Sequence, residues 1–347
     1  MRVALLSFYD FEEVRGGTEL FSNYLLSTFP EAEFITFSAS REHVFGPNLA
    51  RLNLEYPRMA MAMSRRLQEI CKEKQIDVAF SNDISGLGLK LMLPGLPSAI
   101  IFHYTYHEMA EKALIGTRGY LPSRHLMPRI ESLAAIGKTV VAVSPKVQRA
   151  LKVYYKLDSR VIENGIPLDV FKPLDKMESR ERIGIKWRGP LGIFVGRAES
   201  SKGFDIVQAI AKRRKDIKIL CVTTSPVEEK ELIVAKAVKN ADMPMYYSAA
   251  DFLFFPSRYE SLSYTSIEAL ACDLPVVASR TGVFEDLKEE EVGVLVDSFE
   301  PDDYSKGIDR VASLDIHPRD LAKQRFSLDR FRADYINLAK ELAKERK

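Results

Sequence analysis

Two glutamates separated by seven residues, Glu260 and Glu268, mark where this sequence could do chemistry. They lie in Phe252-Leu253-Phe254-Phe255-Pro256-Ser257-Arg258-Tyr259-Glu260-Ser261-Leu262-Ser263-Tyr264-Thr265-Ser266-Ile267-Glu268, within the longer stretch Asp251 to Gly282. An apolar strand stops at Pro256, and a helix starts close to Ser263, a residue type suited to an N-cap. Glu260 then sits in the loop and Glu268 inside the helix, roughly 7 Å along its axis at 1.5 Å per residue. The free N–H groups of a first helical turn favour a phosphate, and each carboxylate accepts bonds from hydroxyls. A diphosphate with a hydroxyl-rich group at each end would satisfy all three. Plainer readings fit too: Thr265-x-x-Glu268 matches a capping box, and Glu260 could be a loop carboxylate in water.

A second cluster is Phe194-Val195-Gly196-Arg197-Ala198-Glu199-Ser200-Ser201-Lys202-Gly203. A buried strand ends in glycine, and the loop after it carries Arg197 and Lys202 before a helix begins near Gly203. Arginine offers a diphosphate a bidentate fork and lysine a point charge; surface cations on an ordinary loop are the competing reading. Near the N-terminus, Gly16 and Gly17 precede a helical stretch, Leu20 to Phe29, and would let backbone approach a ligand, or simply make a turn. His103 ends another strand. It is either a satisfied structural histidine or a catalytic one, and His103-x-x-x-His107 could bind metal only with a third ligand that the sequence does not offer.

The elements that must position these groups are short and apolar. Strands are expected at 2–8, 33–37, 78–81, 98–103, 139–144 and 161–163, then at 191–196, 217–222, 252–256, 275–279 and 292–296, with 232–234 less regular. Runs that are apolar throughout, alternating with helical patterns, indicate parallel sheets covered on both faces. The fold class is therefore α/β, with two doubly wound parallel sheets. A chain of 347 residues favours two domains, expected at 1–167 and 168–326, with Asn-Gly and two prolines marking the junction. An amphipathic C-terminal helix over about 327–347, with Phe331, Tyr335, Leu338 and Leu342 on one face, could pack on either domain.

Composition narrows the classes. Fifty Lys plus Arg against 48 Asp plus Glu give a net charge of +2, without the basic face that nucleic-acid binding needs. Three dispersed cysteines, Cys71, Cys221 and Cys272, suggest neither zinc nor a disulfide framework; a reducing, cytoplasmic location fits them. No stretch reaches the ~18 to 20 apolar residues of a membrane span, and the N-terminal apolar run reads as a strand rather than a signal peptide. The basic amphipathic segments at 56–74 and 113–138 could rest on anionic lipid at the inner membrane face, or be ordinary helices with solvated cations.

The ordered set of pieces resembles the GT4 family of retaining glycosyltransferases (glycosyl transferases group 1), whose fold is GT-B: two Rossmann-like domains facing across a cleft. The pieces are Phe255 to Glu260, the Glu260/Glu268 pair, Glu268-Ala269-Leu270-Ala271-Cys272, Pro275 to Ser279, Gly196-Arg197, Lys202-Gly203, Asn164-Gly165-Ile166, Asp169 and Ser144. The resemblance implies an acceptor-side N-terminal domain, a C-terminal donor domain, and a hexosyltransferase-type enzyme. It implies metal-independent transfer, without a cofactor, from a nucleoside-diphosphate sugar such as a UDP- or GDP-sugar to a glycan, lipid-linked or small acceptor. Arg197 and Lys202 would bind the diphosphate, Glu268 the ribose, and Glu260 would lie beside the transferred sugar. Ser261, Leu262, Ser263 and Tyr264 would meet the ligand through backbone N–H groups, Gly16 and Gly17 would touch phosphate, and His103 would lie near the reacting carbon. The family usually has glycine where this chain has Ser261 and Ser263, which bears on donor choice. A nucleotide-sugar epimerase or hydrolase, or a catalytically silent nucleotide-binding partner of another transferase, would carry the same scaffold.

Overall fold

The computed structural model describes residues 1–10, 16–36, 55–113, 117 and 119–345. The chain forms two compact units: Met1–Asn164 with Asp329–Lys347, and Gly165–Leu328.

Unit one is built on six strands, β1 (Val3–Ser7), β2 (Glu33–Thr36), β3 (Val78–Asn82), β4 (Ser98–Phe102), β5 (Thr139–Ala142) and β6 (Arg160–Val161). All pairings are parallel, in the spatial order β2-β1-β3-β4-β5-β6. Every residue of β1, β3 and β4 is buried, so these strands are largely apolar rather than alternating. The expected extension of β2 to Phe37 lies outside the described residues. Strand order reverses between β1 and β3, and at such a reversal a crevice opens beyond the carboxyl ends of the strands.

The helix Leu328–Lys344 contributes Phe331 and Tyr335, both fully buried, to this unit. Their rings meet Phe21 at 5.4 and 5.7 Å between centroids, and Tyr335 meets Phe80 at 5.7 Å. The helix Glu55–Glu73 buries Met59, Met63 and Leu67 and exposes Arg58, Arg65 and Arg66. That is the arrangement of an ordinary amphipathic helix packed on its own core. Arg118, in the second basic segment, lies outside the described residues.

Unit two repeats the architecture with β7 (Leu191–Val195), β8 (Lys218–Thr223), β9 (Leu232–Lys236), β10 (Phe252–Phe255), β11 (Val276–Ser279) and β12 (Gly293–Val296). Its order is β12-β11-β10-β7-β8-β9, again all parallel. The reversal lies between β7 and β10. Those two strands are tied together at their other ends by Arg180, which is 2% exposed. Its guanidinium donates to Asp251 Oδ2 at 2.8 Å and to the Ala249 carbonyl at 2.8 Å, and the same Asp251 oxygen accepts the Leu191 N–H at 2.8 Å. Asp251, the first residue of the stretch singled out above, is thus structural and lies at the edge of the sheet away from the crevice. Cys221 and Cys272 are buried, Cys71 is half-buried, and none of the three is in a disulfide.

Candidate functional site

At the β7/β10 reversal two loops interlock. Gly203 has φ +71°, and a Cβ there would lie 2.0 Å from the Pro256 carbonyl oxygen, so only glycine lets the β7 loop lie against the β10 loop. Arg258 fastens the same two loops. Its guanidinium grips both Asp205 oxygens at 2.7 and 2.8 Å, and its N–H reaches the Ser201 carbonyl at 2.9 Å.

This interlock brings Lys202 and Glu260 together, 58 positions apart in sequence: Nζ donates to Oε1 at 2.6 Å. Ser257 Oγ donates to the same oxygen at 2.9 Å, and the Glu260 N–H is held by Thr281 Oγ1 at 3.1 Å. The Glu260 side chain is 12% exposed and that of Lys202 27%, so the pair is fixed yet reachable. Arg197 does not join them. Its guanidinium bonds Glu199 Oε1 at 2.9 Å within its own loop and is 63% exposed.

The helix after this loop runs Tyr264–Ala271 with Ser263 as its N-cap residue, but Ser263 makes no side-chain capping bond. Its backbone instead has φ +81°, a conformation that costs a non-glycine residue and that glycine adopts freely. The reason given above for a helix start at Ser263 is therefore wrong, although the start itself is right. Leu262 beside it is buried, and its carbonyl accepts the Val283 N–H at 3.3 Å.

Glu268 is not a capping-box residue. It lies more than a turn inside the helix and is only 4% exposed. Tyr247 OH donates to its Oε2 at 2.9 Å and Asn240 Nδ2 to its Oε1 at 3.3 Å. Burial pushes its pKa up to about 7, against the opposing pull of those two bonds.

In unit one, Gly16 and Gly17 stand at the N-terminus of the helix Gly17–Thr28. The Glu19 carboxylate folds back over them, so close that a Cβ on Gly16 would lie 2.4 Å from Glu19 Oε2. Arg15, which precedes them, lies outside the described residues. His103 is 5% exposed and sits in a polar relay at the ends of β1, β3 and β4. Asn82 donates from Nδ2 to Ser22 Oγ at 2.7 Å and to Ser7 Oγ at 3.2 Å, and its Oδ1 meets His103 Nε2 at 3.1 Å. With the amide N–H groups already used, that oxygen must accept, so Nε2 carries the proton. Burial holds the imidazole neutral by lowering its pKa to about 3.

Asp83, next to Asn82, accepts the His103 N–H at 2.9 Å and has φ +45°. Burial raises its pKa to about 8. It faces a cavity of about 140 Å³ together with Glu19, Thr18, Tyr56, Tyr104 and Tyr106. His107 belongs to the helix Tyr106–Ala113 and His103 precedes it, so the two do not share a helix face. Among the described residues, no group of three His, Cys, Asp or Glu side chains is placed to hold a metal ion.

Sequence reasoning passed over Asn82, Asp83, Glu19, Tyr247 and Thr281. The signal for Asp83 was present: a carboxylate ends an apolar strand at the edge where ligands bind. Asn240 and Tyr247 lie 28 and 21 positions from Glu268, and no spacing rule links them.

The family model described as "Glycosyl transferases group 1" matches residues 189–313, and that described as "Glycosyltransferase Family 4" matches residues 26–170. The chain belongs to the GT4 glycosyltransferase family. Among curated members, a D-inositol 3-phosphate glycosyltransferase of Acidothermus cellulolyticus is 28% identical over 218 residues, covering 55% of this chain and 49% of that protein. One from Segniliparus rotundus is 31% identical over 176 residues, 44% of this chain and 39% of that protein. This GT4 member thus spans about half or less of the length of the curated relatives it matches. Solved structures share its fold over nearly the whole chain. Sucrose-phosphate synthase from Thermosynechococcus elongatus superposes with TM-score 0.78 at 17% identity, covering 98% of both chains. The Anabaena protein HepE, solved in complex with UDP-glucose, gives 0.74 at 17% identity, covering 98% of this chain and 100% of that one. The fold of this GT4 chain is GT-B, two Rossmann-like units. Among its described residues no helix is long and apolar enough to cross a membrane.

Proposed function

We propose that this chain transfers a sugar from a nucleoside-diphosphate sugar to an acceptor hydroxyl, with retention of anomeric configuration and without a metal ion. The observation that carries the reading is the Lys202–Glu260 pair at 2.6 Å in the crevice of unit two. A lysine ammonium has three donors. It can keep Glu260 and still meet a phosphate oxygen, leaving the second Glu260 oxygen for the hydroxyls of the transferred sugar. The leaving group is a nucleoside diphosphate, so the main task is to stabilise charge as it develops there. Lys202, the N–H groups at the start of the helix Tyr264–Ala271, and Arg197 on moving inward would supply that stabilisation electrostatically. Glu268, buried and already accepting two neutral donors, suits the ribose hydroxyls.

A retaining course asks the acceptor to attack the face the phosphate leaves, with the departing phosphate taking the acceptor proton. Glu260, pinned by Lys202 and Ser257, orients the sugar in that scheme rather than attacking it. The UDP-glucose complex of HepE makes a UDP-sugar the first donor to try.

The test is a thermal-shift panel of UDP-, GDP-, ADP- and CDP-sugars on the full chain. One nucleotide series should raise the melting temperature, by mass action on the folded state. No stabilisation by any series would overturn the reading. Release of an epimer or of free sugar without acceptor would assign the chain to epimerisation or hydrolysis instead.

A further inference from the structure

Unit one has a cavity of its own at the β1/β3 reversal, where its fold would place a ligand. Its wall is unusual for a site that handles phosphorylated metabolites. The charged lining groups among the described residues are both carboxyls, Glu19 and Asp83; the rest of the polar lining is hydroxyl, phenol and amide, from residues such as Ser7, Thr18, Tyr56 and Tyr104. No lysine, arginine or histidine is among the described lining residues.

The two acids are built in. Asp83 is 7% exposed and Glu19 8%. Asp83 is locked by the His103 N–H at 2.9 Å in a backbone conformation at φ +45° that few non-glycine residues adopt. Strain of that kind persists only where the surroundings impose it, and it clusters at ligand sites. The phenols give a firm edge: Tyr104 and Tyr106 pack at 5.3 Å between centroids, edge to face.

We infer that this cavity seats the acceptor, and that it selects a neutral, hydroxyl-rich acceptor against phosphorylated or carboxylated ones, with Asp83 and Glu19 as the residues that set the choice. The inference rests on the glycosyl-transfer reading above and adds the substrate class to it. A polyol donates hydroxyl hydrogens to carboxylate oxygens and lays its C–H faces on aromatic rings. Burial raises the Asp83 pKa to about 8, so it donates to a sugar oxygen below that pH and accepts from a hydroxyl above it. A phosphate or carboxylate would enter a partly enclosed space that already holds two acids and, among the described lining residues, no compensating cation, and would lose its hydration without gaining a partner there.

The test uses the full chain, the donor series identified by thermal shift, and matched acceptor pairs: methyl glucoside against glucose 6-phosphate, and myo-inositol against inositol 3-phosphate. The readout is kcat/KM for acceptor-dependent release of nucleoside diphosphate. Measured at about pH 9, where Asp83 is ionised, within a pair that is used at all the neutral member should be favoured by about a hundredfold, the effect of one like charge about 5 Å away at an effective dielectric near 20. Asp83→Asn, an amide that tolerates positive φ, should raise the KM for the neutral acceptor and narrow the ratio at least about tenfold, with the donor-induced thermal shift unchanged. Glu19→Gln should narrow it likewise, which keeps the test decisive if one variant folds poorly. Equal or better use of the phosphorylated member, or a ratio that neither variant moves, overturns the inference. Donor stabilisation with no neutral acceptor used in a broad glycan panel overturns it too, and leaves the transferase reading standing. Absence of donor stabilisation defeats that reading itself.

Discussion

Replacing Glu268 with glutamine should uncouple nucleotide-sugar binding from proton release. In the ligand-free protein burial lifts this carboxyl from its ordinary 4.5 to about 7. At 1.36 kcal/mol per pH unit, holding it ionised above pH 7 costs about 3 kcal/mol. If ribose hydroxyls donate to Oε1 and Oε2, they favour the charged form and pull the pKa back down. Binding then expels about half a proton at pH 7 and nearly a whole one at pH 6, and affinity falls up to about tenfold for each pH unit below 7.

A nucleotide sugar is the right probe, because its diphosphate diester does not titrate in this range. Isothermal titration in two buffers of different ionisation enthalpy reads the proton count directly. Glu268→Gln should abolish the release and flatten the pH dependence. It should also weaken binding about 10- to 100-fold at pH 8, the worth of hydrogen bonds to a charged group.

Stability moves in the opposite sense. The folded pKa is raised, so Glu268's contribution is full below about 4.5 and is lost as pH rises through about 7. The variant should lack that loss, and the difference in unfolding free energy between wild type and variant should grow across this window. Asp83, raised in the same direction, adds a similar slope to both proteins and cancels in the comparison. Unchanged affinity with no proton release in wild type would refute the placing of ribose at Glu268.

Lys202→Ala should lower turnover by about 100- to 1000-fold while circular dichroism stays native; a near-normal rate would remove Lys202 from the mechanism. Gly203→Ala puts a Cβ 2.0 Å from the Pro256 carbonyl oxygen at φ +71°, so donor-induced stabilisation should vanish and the melting temperature should drop. A variant that still binds donor normally would show that the two loops need not interlock. Arg180→Ala breaks an ion pair in which the arginine is 2% exposed and should cost about 3 kcal/mol in urea unfolding; a loss under about 0.5 kcal/mol would mean that Lys176, whose Nζ meets Asp251 Oδ1 at 2.6 Å, sustains Asp251 alone.

Much of the fold was legible because buried parallel strands leave an unambiguous trace: β1, β3 and β4 are buried at every position. The start of the helix at Tyr264 was also legible, but by a wrong argument, since Ser263 occupies a glycine-like conformation and caps nothing. That places Ser263, where the resemblance implies glycine, at a position where the backbone feels the difference. The capping-box alternative for Glu268 depended on a register that sequence cannot fix to within one residue. The Lys202–Glu260 contact was not visible either. Each residue stood out as chemically apt, but their meeting depends on β7 and β10 being neighbours across 58 positions. Arg197 had the same promise in sequence and pairs with Glu199 instead. In unit one, His103 drew attention by type, whereas Asp83 beside it was passed over although its place just after the apolar strand β3 marked it.

The central claim is that unit two holds a nucleotide sugar and passes its sugar to an acceptor with retention. Proton NMR of the product formed with the stabilising α-linked donor and a used acceptor tests it most directly. The account predicts a small anomeric coupling, that of an α-glycoside for a glucose-type sugar, appearing in step with the free nucleoside diphosphate. A β-linked product, or nucleoside diphosphate released with free sugar alone, would contradict it.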